Sequence, residues 1–228
     1  MAAGDIGRHG AIVGLCCAAL AQRDDTRRYY LARQAECQGF YLGSREGVVT
    51  FEGELERLDK RSAVSRVRAR VAGETLSELR VTYTILTASA FERLFAERAR
   101  PLHGPAPQHY EGTLEGTLEQ ASNVRRLTVP AVPLRVCAGH FDGYPAMPVA
   151  TLMSQLSQLA GEMMGTPYII SRTYVAADDL LWAGSEAVFE VRRTGQQGGE
   201  HHFRGSVTSQ GVSKGAVEMV FTSVTPGS

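Results

Sequence analysis

The chain has 228 residues, 43% of them hydrophobic and 21% charged, enough apolar material for a core and too much for wholesale disorder. Its 24 basic and 24 acidic side chains cancel, and only 7% of residues are aromatic. No net field therefore draws it to nucleic acid or anionic lipid, and no basic–aromatic stripe offers a platform for single strands. The length fits one large domain or two small ones.

In chain order, the first apolar run is residues 11–21, which follows Arg8 and ends in small residues like a secretory signal segment. It falls short of the ~20 residues that span a bilayer, and the duplication described below reads it instead as a buried helix over 10–22. Strands are expected at 29–42, 47–58, 62–72 and 76–87. In the third of these, Arg66, Arg68 and Arg70 alternate with Val67, Ala69 and Val71, as a sheet with one solvated face requires. A connector with Pro101, Pro105 and Pro107 and a short helix near Phe91–Arg98 follows. Residues 123–147 then lead into a second helix over 149–164, where Leu152, Leu156 and Leu159 mark one buried face. Further strands are expected at 167–176, 185–194, 200–209 and 214–224.

The two halves repeat at an offset of 138 to 139. Phe51 lies over Phe189 and Gly73 over Gly211, and the strands that follow each glycine keep the same register. The organisation expected is a degenerate N-terminal unit over 1–88, a connector over 89–121 and a C-terminal unit over 122–228. Each unit is an α+β layer in which an antiparallel sheet wraps one helix. The first unit has only eight residues before its helix, so it lacks the opening strand and loop of the second. A site built from that lead-in exists once per chain.

Cys16, Cys17, Cys37 and Cys137 form no Cys-x-x-Cys pair, and His201-His202, being adjacent on a strand, face opposite ways and chelate poorly. Reduced thiols in a cytoplasmic protein, with no structural metal, are the reading that follows.

Gly139-His140-Phe141-Asp142-Gly143-Tyr144-Pro145-Ala146-Met147-Pro148 stands directly before the second helix. Pro148 suits a helix start, where its missing N–H costs nothing. The free N–H groups near Val149 and Ala150 suit a carbonyl oxygen gaining negative charge, and His140 is a base that titrates near neutrality. The run resembles the signature of the hotdog-fold 3-hydroxyacyl-acyl-carrier-protein dehydratases, Gly-His-Phe-Pro-Gly-x-Pro-x-Met-Pro. It matches at Gly139, His140, Phe141, Gly143, Pro145, Met147 and Pro148. The resemblance covers 123–224, and 9–87 only as a degenerate copy. It implies a double hotdog, with two antiparallel sheets each wrapped around a central helix.

The resemblance also implies a carboxylate fourteen residues after the histidine and a glutamine four beyond it. Here those positions hold Ser154 and Gln158, and the aligned position of the first helix is Leu15, flanked by Cys16 and Cys17. Asp142, two residues after His140, is the carboxylate at hand to orient the ring or replace the acid. Ser154 reads as a small polar lining residue. Cys16 and Cys17 read as core residues or as thiols reaching His140 across the two halves.

The expected function is dehydration of a 3-hydroxyacyl thioester of acyl carrier protein or coenzyme A, with double-bond isomerisation as a variant, in fatty-acid or polyketide-type metabolism. Catalysis would fall to His140, Asp142 and Ser154. Gly143, Pro148, Val149, Gln158, Cys16 and Cys17 would line the substrate. No cofactor or metal is implied. The alternatives are a hotdog acyl thioesterase and a non-catalytic acyl-binding subunit paired with a catalytic one, as a homodimer or heterodimer.

Overall fold

Alternation of apolar and charged residues builds one antiparallel sheet of ten strands. The computed structural model describes residues 3–40, 47–100, 114–137 and 140–224. The expectations at residues 41 and 42, at Pro101, Pro105 and Pro107 and at Gly139 lie outside them. The first half comprises α1 (Ala3–Leu20), β1 (Arg28–Gly39), β2 (Val49–Leu58), β3 (Ser62–Val71) and β4 (Glu74–Thr87). After α2 (Ala88–Leu94) come β5 (Thr117–Ala121), β6 (Val124–Val129), β7 (Ala146–Met147), α3 (Val149–Gly161), β8 (Tyr168–Ala177), β9 (Leu181–Trp182), β10 (Ala187–Gln197), β11 (Glu200–Ser209) and β12 (Val212–Ser223). The sheet order is β2-β3-β4-β1-β8-β12-β11-β10-β6-β5, and β7 pairs separately with β9.

The architecture is the expected double hotdog, and the two sheets are continuous. β1 of the first half pairs with β8 of the second between Gln34↔Ala176 and Gln38↔Arg172. In the second half β10 is covered by β6 and β5, whereas β2, its counterpart, ends the sheet among the described residues. β5 lies in the stretch read as connector and forms a hairpin with β6.

The duplication is more exact in register than in residue identity. The β3–β4 turn has Ala72 at φ 50° and Gly73 at φ 83°, and the β11–β12 turn has Gln210 at φ 51° and Gly211 at φ 76°. Two successive left-handed residues make the tight turn whose twist matches the strands it joins. β1 bulges at Arg33 and β8 at Ser171, β2 at Glu56 and β10 at Thr194, β4 at Leu76 and β12 at Lys214. Every pair is separated by 138 positions. A bulge re-aims every side chain beyond it, so shared bulges preserve the inward pattern of the two sheets while most residues differ.

On β3, Val67, Ala69 and Val71 are buried. Arg66, Arg68 and Arg70 turn outward to Glu56 (2.7 Å), Glu78 (2.8 Å) and Glu52 (3.2 Å) on the neighbouring strands. α3 buries Leu152, Leu156 and Leu159 in the larger core, with Phe189, Phe203 and Phe221 from the sheet. α1 approaches β3 and β4 closely along the face that carries its glycines. Gly10, Gly14 and Ala18 face inward, and the Tyr83 hydroxyl donates to the Ala11 carbonyl (2.6 Å) while that of Ser65 donates to the Gly14 carbonyl (2.8 Å). The helix starts seven residues before the expected 10 and ends at Leu20. Gly4 and Gly7 argue against helix locally, and packing on α3 overrides that propensity.

A third cluster joins the halves. Tyr29 of β1, Phe91 of α2, Phe141, Ala146, Leu180 and Trp182 are buried together.

Candidate active site

The loop before α3 is held by its own turn and by aromatic rings from three parts of the chain. Tyr144 N–H donates to the Phe141 carbonyl (3.0 Å), with Gly143 at φ 75°. A type II turn needs that left-handed residue, so the glycine is required by geometry before any contact with substrate. Phe141 packs on Phe91 (ring centroids 5.0 Å) and Tyr29 (5.8 Å), and Arg100 N–H donates to the Gly143 carbonyl (2.8 Å). The β7–β9 pair then fixes Ala146 and Met147 opposite Trp182 and Leu181.

His140 stands half-buried on this base, stacked on Phe141 at 3.9 Å. Its Nδ1 lies 3.1 Å from the Ala146 carbonyl. A carbonyl only accepts, so Nδ1 carries the proton and Nε2 presents the lone pair. Burial lowers the pKa of His140 to about 4; the Ala146 carbonyl opposes that shift and the positive charge of Arg8 adds to it. The ring is therefore neutral at pH 7.

Pro148 is the N-cap of α3 and has no side-chain acceptor to offer the helix. The N–H groups of Thr151 and Leu152 turn back on the Pro148 carbonyl at 2.9 and 3.1 Å. Those of Val149 and Ala150 are the donors that a helix start leaves over. They carry the positive end of the helix dipole, and the first turn of α3 holds no acidic side chain to neutralise it.

His140 is thus tied through the Ala146 carbonyl to β7, which runs directly into Pro148 and Val149 at the start of α3, while Gly143 turns the loop between them. Ser154 lies further along α3, against the first turn of α1, where a Cβ on Gly4 would overlap its Oγ. Gln158, one turn beyond, is exposed. Asp142 is exposed as well and faces Arg27 at 3.7 Å, while the Ala146 carbonyl takes the imidazole proton. Cys16 is exposed, and Cys17 packs against β2, where a Cβ on Gly53 would lie 2.7 Å from its Sγ.

Two contributors escaped the sequence reading. Arg8 was placed outside any helix, yet it lies one turn after Gly4 on the same face of α1 and is the charge that acts on His140. The aromatic brace was missed because Tyr29, Phe91, Phe95 and Trp182 are scattered in sequence; Phe91 and Phe95, four apart in a short helix, were the one local signal. A groove of about 920 Å³ lies elsewhere, lined by ion-paired Arg66, Arg80, Arg204 and Glu218, and none of the residues above lines it. Among the described residues no group of three His, Cys, Asp or Glu is placed to hold a metal, and no helix is long and apolar enough to cross a membrane.

No protein-family model matches the chain, and neither does any curated protein. Solved structures do. An acyl-ACP thioesterase from Bacteroides thetaiotaomicron superimposes with a TM-score of 0.65 at 12% identity, over 97% of this chain and 90% of that one. The 12:0-ACP thioesterase from Umbellularia californica gives 0.62 at 9% identity, over 96% and 86%. A MaoC-like dehydratase gives 0.62 at 10% identity, over 96% and 82%. At such identities the likeness is one of fold.

Proposed function

We propose that this double hotdog is an acyl thioesterase that hydrolyses an acyl group from acyl carrier protein or coenzyme A. The observation that carries the reading is a neutral imidazole of fixed tautomer on the loop that leads directly into a helix N-terminus with no side-chain cap, with no carboxylate at position 154 or 15. Two of the three structural relatives above bear thioesterase names, which favours the same chemistry.

The thioester carbonyl oxygen accepts from the Val149 and Ala150 N–H groups, where negative charge is stabilised as it develops. Water, hydrogen-bonded to Nε2 of His140, attacks the carbonyl carbon and gives its proton to that nitrogen. Collapse of the tetrahedral adduct breaks the C–S bond, and the thiolate leaves with the proton from His140. A ring with a pKa of about 4 is a weak base towards the water and a strong acid towards the leaving thiolate. The products are a carboxylic acid and a free thiol.

The Gly139–Pro148 motif favours dehydration, but that reaction needs a proton donor for the departing hydroxyl, and the positions that would supply it hold Ser154 and Leu15. Thiol release from a series of acyl-CoA thioesters tests the proposal directly. Release is expected, and His140→Ala should lower kcat by about 100-fold or more. Formation of an enoyl product from a 3-hydroxyacyl thioester, without thiol release, would replace hydrolysis with dehydration.

A further inference from the structure

The opposite end of α3 carries a second polar cluster that the reaction above does not use. Arg193 on β10 and His201 on β11 point inward, under the sheet. Arg193 donates to the carbonyl of Met163, just past the end of α3, and its guanidinium lies 5.4 Å from the ring centroid of Phe203, the cross-strand partner of Arg193. His201 is two residues before Phe203 on the same face, only 7% exposed, with Nε2 3.3 Å from the Ser223 hydroxyl. Nδ1 of His201 and Nε of Arg193 are both buried and have no hydrogen-bond partner.

The internal repeat supplies a control. At the same register in the first half, 138 positions earlier, stand Leu55, Ala63 and Ile85, which pack into an ordinary apolar core. The fold therefore closes this end with hydrocarbon when nothing else is asked of it. Replacing all three by Arg, His and Ser in one half alone, with two nitrogens left unpaired, is costly for stability and needs another reason. The neighbouring carboxylate does not provide it, because Glu200 is engaged by Arg172 at 3.1 Å.

We infer that Arg193, His201 and Ser223 form a binding subsite for a carboxylate. With the Ser223 hydroxyl, 3.3 Å away, donating to Nε2 of His201, the imidazole proton stands on Nδ1. Nδ1–H and the Arg193 Nε–H are then two donors on one face, one of them cationic, matched to an oxyanion that only accepts. α3 has 13 residues, so this subsite lies about 20 Å from the helix N-terminus that holds the thioester. Resting on the thioesterase reading, the ligand that engages both ends is a long-chain acyl thioester with a carboxylate at its far end. A free small carboxylate would satisfy the same donors.

Nitrogen-labelled histidine in the wild-type protein reads the subsite without any variant. Titration with acetate should move the His201 ring resonances while leaving those of His202, on the opposite face of the strand, in place. In the second arm, an ω-carboxyacyl-CoA should bind about tenfold more tightly than the plain acyl-CoA of equal length. The double variant Arg193→Leu, His201→Ala, which restores the first-half residues, should remove that preference and keep the affinity for plain acyl-CoA. Acetate shifts without the tenfold preference assign the subsite to free carboxylates. A stationary His201 together with equal affinities overturns the inference. Failure of thiol release with His201 still responding to acetate would count against the thioesterase reading alone.

Discussion

In the proposed reaction, protonation of His140 decides what the loop can do. Burial against Phe141 and the nearby Arg8 charge disfavour the imidazolium more than the Ala146 carbonyl favours it. Below pH 6.5 the unfolded chain takes up a proton at this residue, but the folded chain does so only near pH 4. The stabilisation is therefore complete above pH 6.5 and is lost as pH falls towards 4, a difference on the order of 3 kcal/mol. Denaturant unfolding at pH 7.5 and at pH 4.5 should show His140→Gln to be less acid-sensitive than wild type by a large part of that amount. If the proposed hydrolysis holds, thiol release should likewise keep its acid limb near pH 4, and a limb near 6.5 would mean that the ring is solvated. Asp142 makes the contrast. Exposed and facing Arg27, it is worth no more than a surface pair, ~0–1 kcal/mol, and Asp142→Asn should leave kcat within about twofold.

At the scale of elements, α1 and α3 meet their sheets in different ways. α3 buries leucines, and its contacts tolerate small adjustments. α1 presents Gly10 and Gly14, so its backbone is within hydrogen-bond reach of Tyr83 and Ser65. A Cβ at Gly14 would lie 2.8 Å from the Tyr83 hydroxyl and 3.2 Å from Ser65 Cβ. Gly14→Val should therefore cost about 1–3 kcal/mol by overpacking, visible as a lower denaturant midpoint with an unchanged slope. The extension of α1 to Ala3 matters for the same reason. Its first turn seats on Ser154 of α3, so a larger residue at Gly4 would displace that contact.

For the whole molecule, one sheet through β1 and β8 and one aromatic cluster across both halves make the units interdependent. Phe91, fully buried, touches Tyr29 from the first half, Phe95 beside it, and Phe141 and Tyr144 from the candidate site. Phe91→Ala should destabilise the chain by about 3–5 kcal/mol. Because the cluster also positions the His140 loop, thiol release should fall at temperatures where the variant is still folded. Thermal unfolding of the wild type should be one transition, the same by fluorescence of Trp182 and by circular dichroism.

Much of this was legible in the residues themselves. Alternation in β3, the leucine spacing of α3 and the recurrence of Gly73 at Gly211 fixed the strands, the buried helix and the duplication, because these patterns are local consequences of strand and helix geometry. The run from His140 to Pro148 likewise marked the place of the proposed site. The tertiary fold decided what that site contains. It turned Asp142 outward, set Ser154 beneath Gly4, packed Cys17 of α1 against β2, and brought Arg8 and the rings of Tyr29, Phe91 and Trp182 to a loop distant from them in sequence. Such proximities depend on how two sheets join and how closely a glycine-faced helix approaches, and no periodicity along a single chain encodes either.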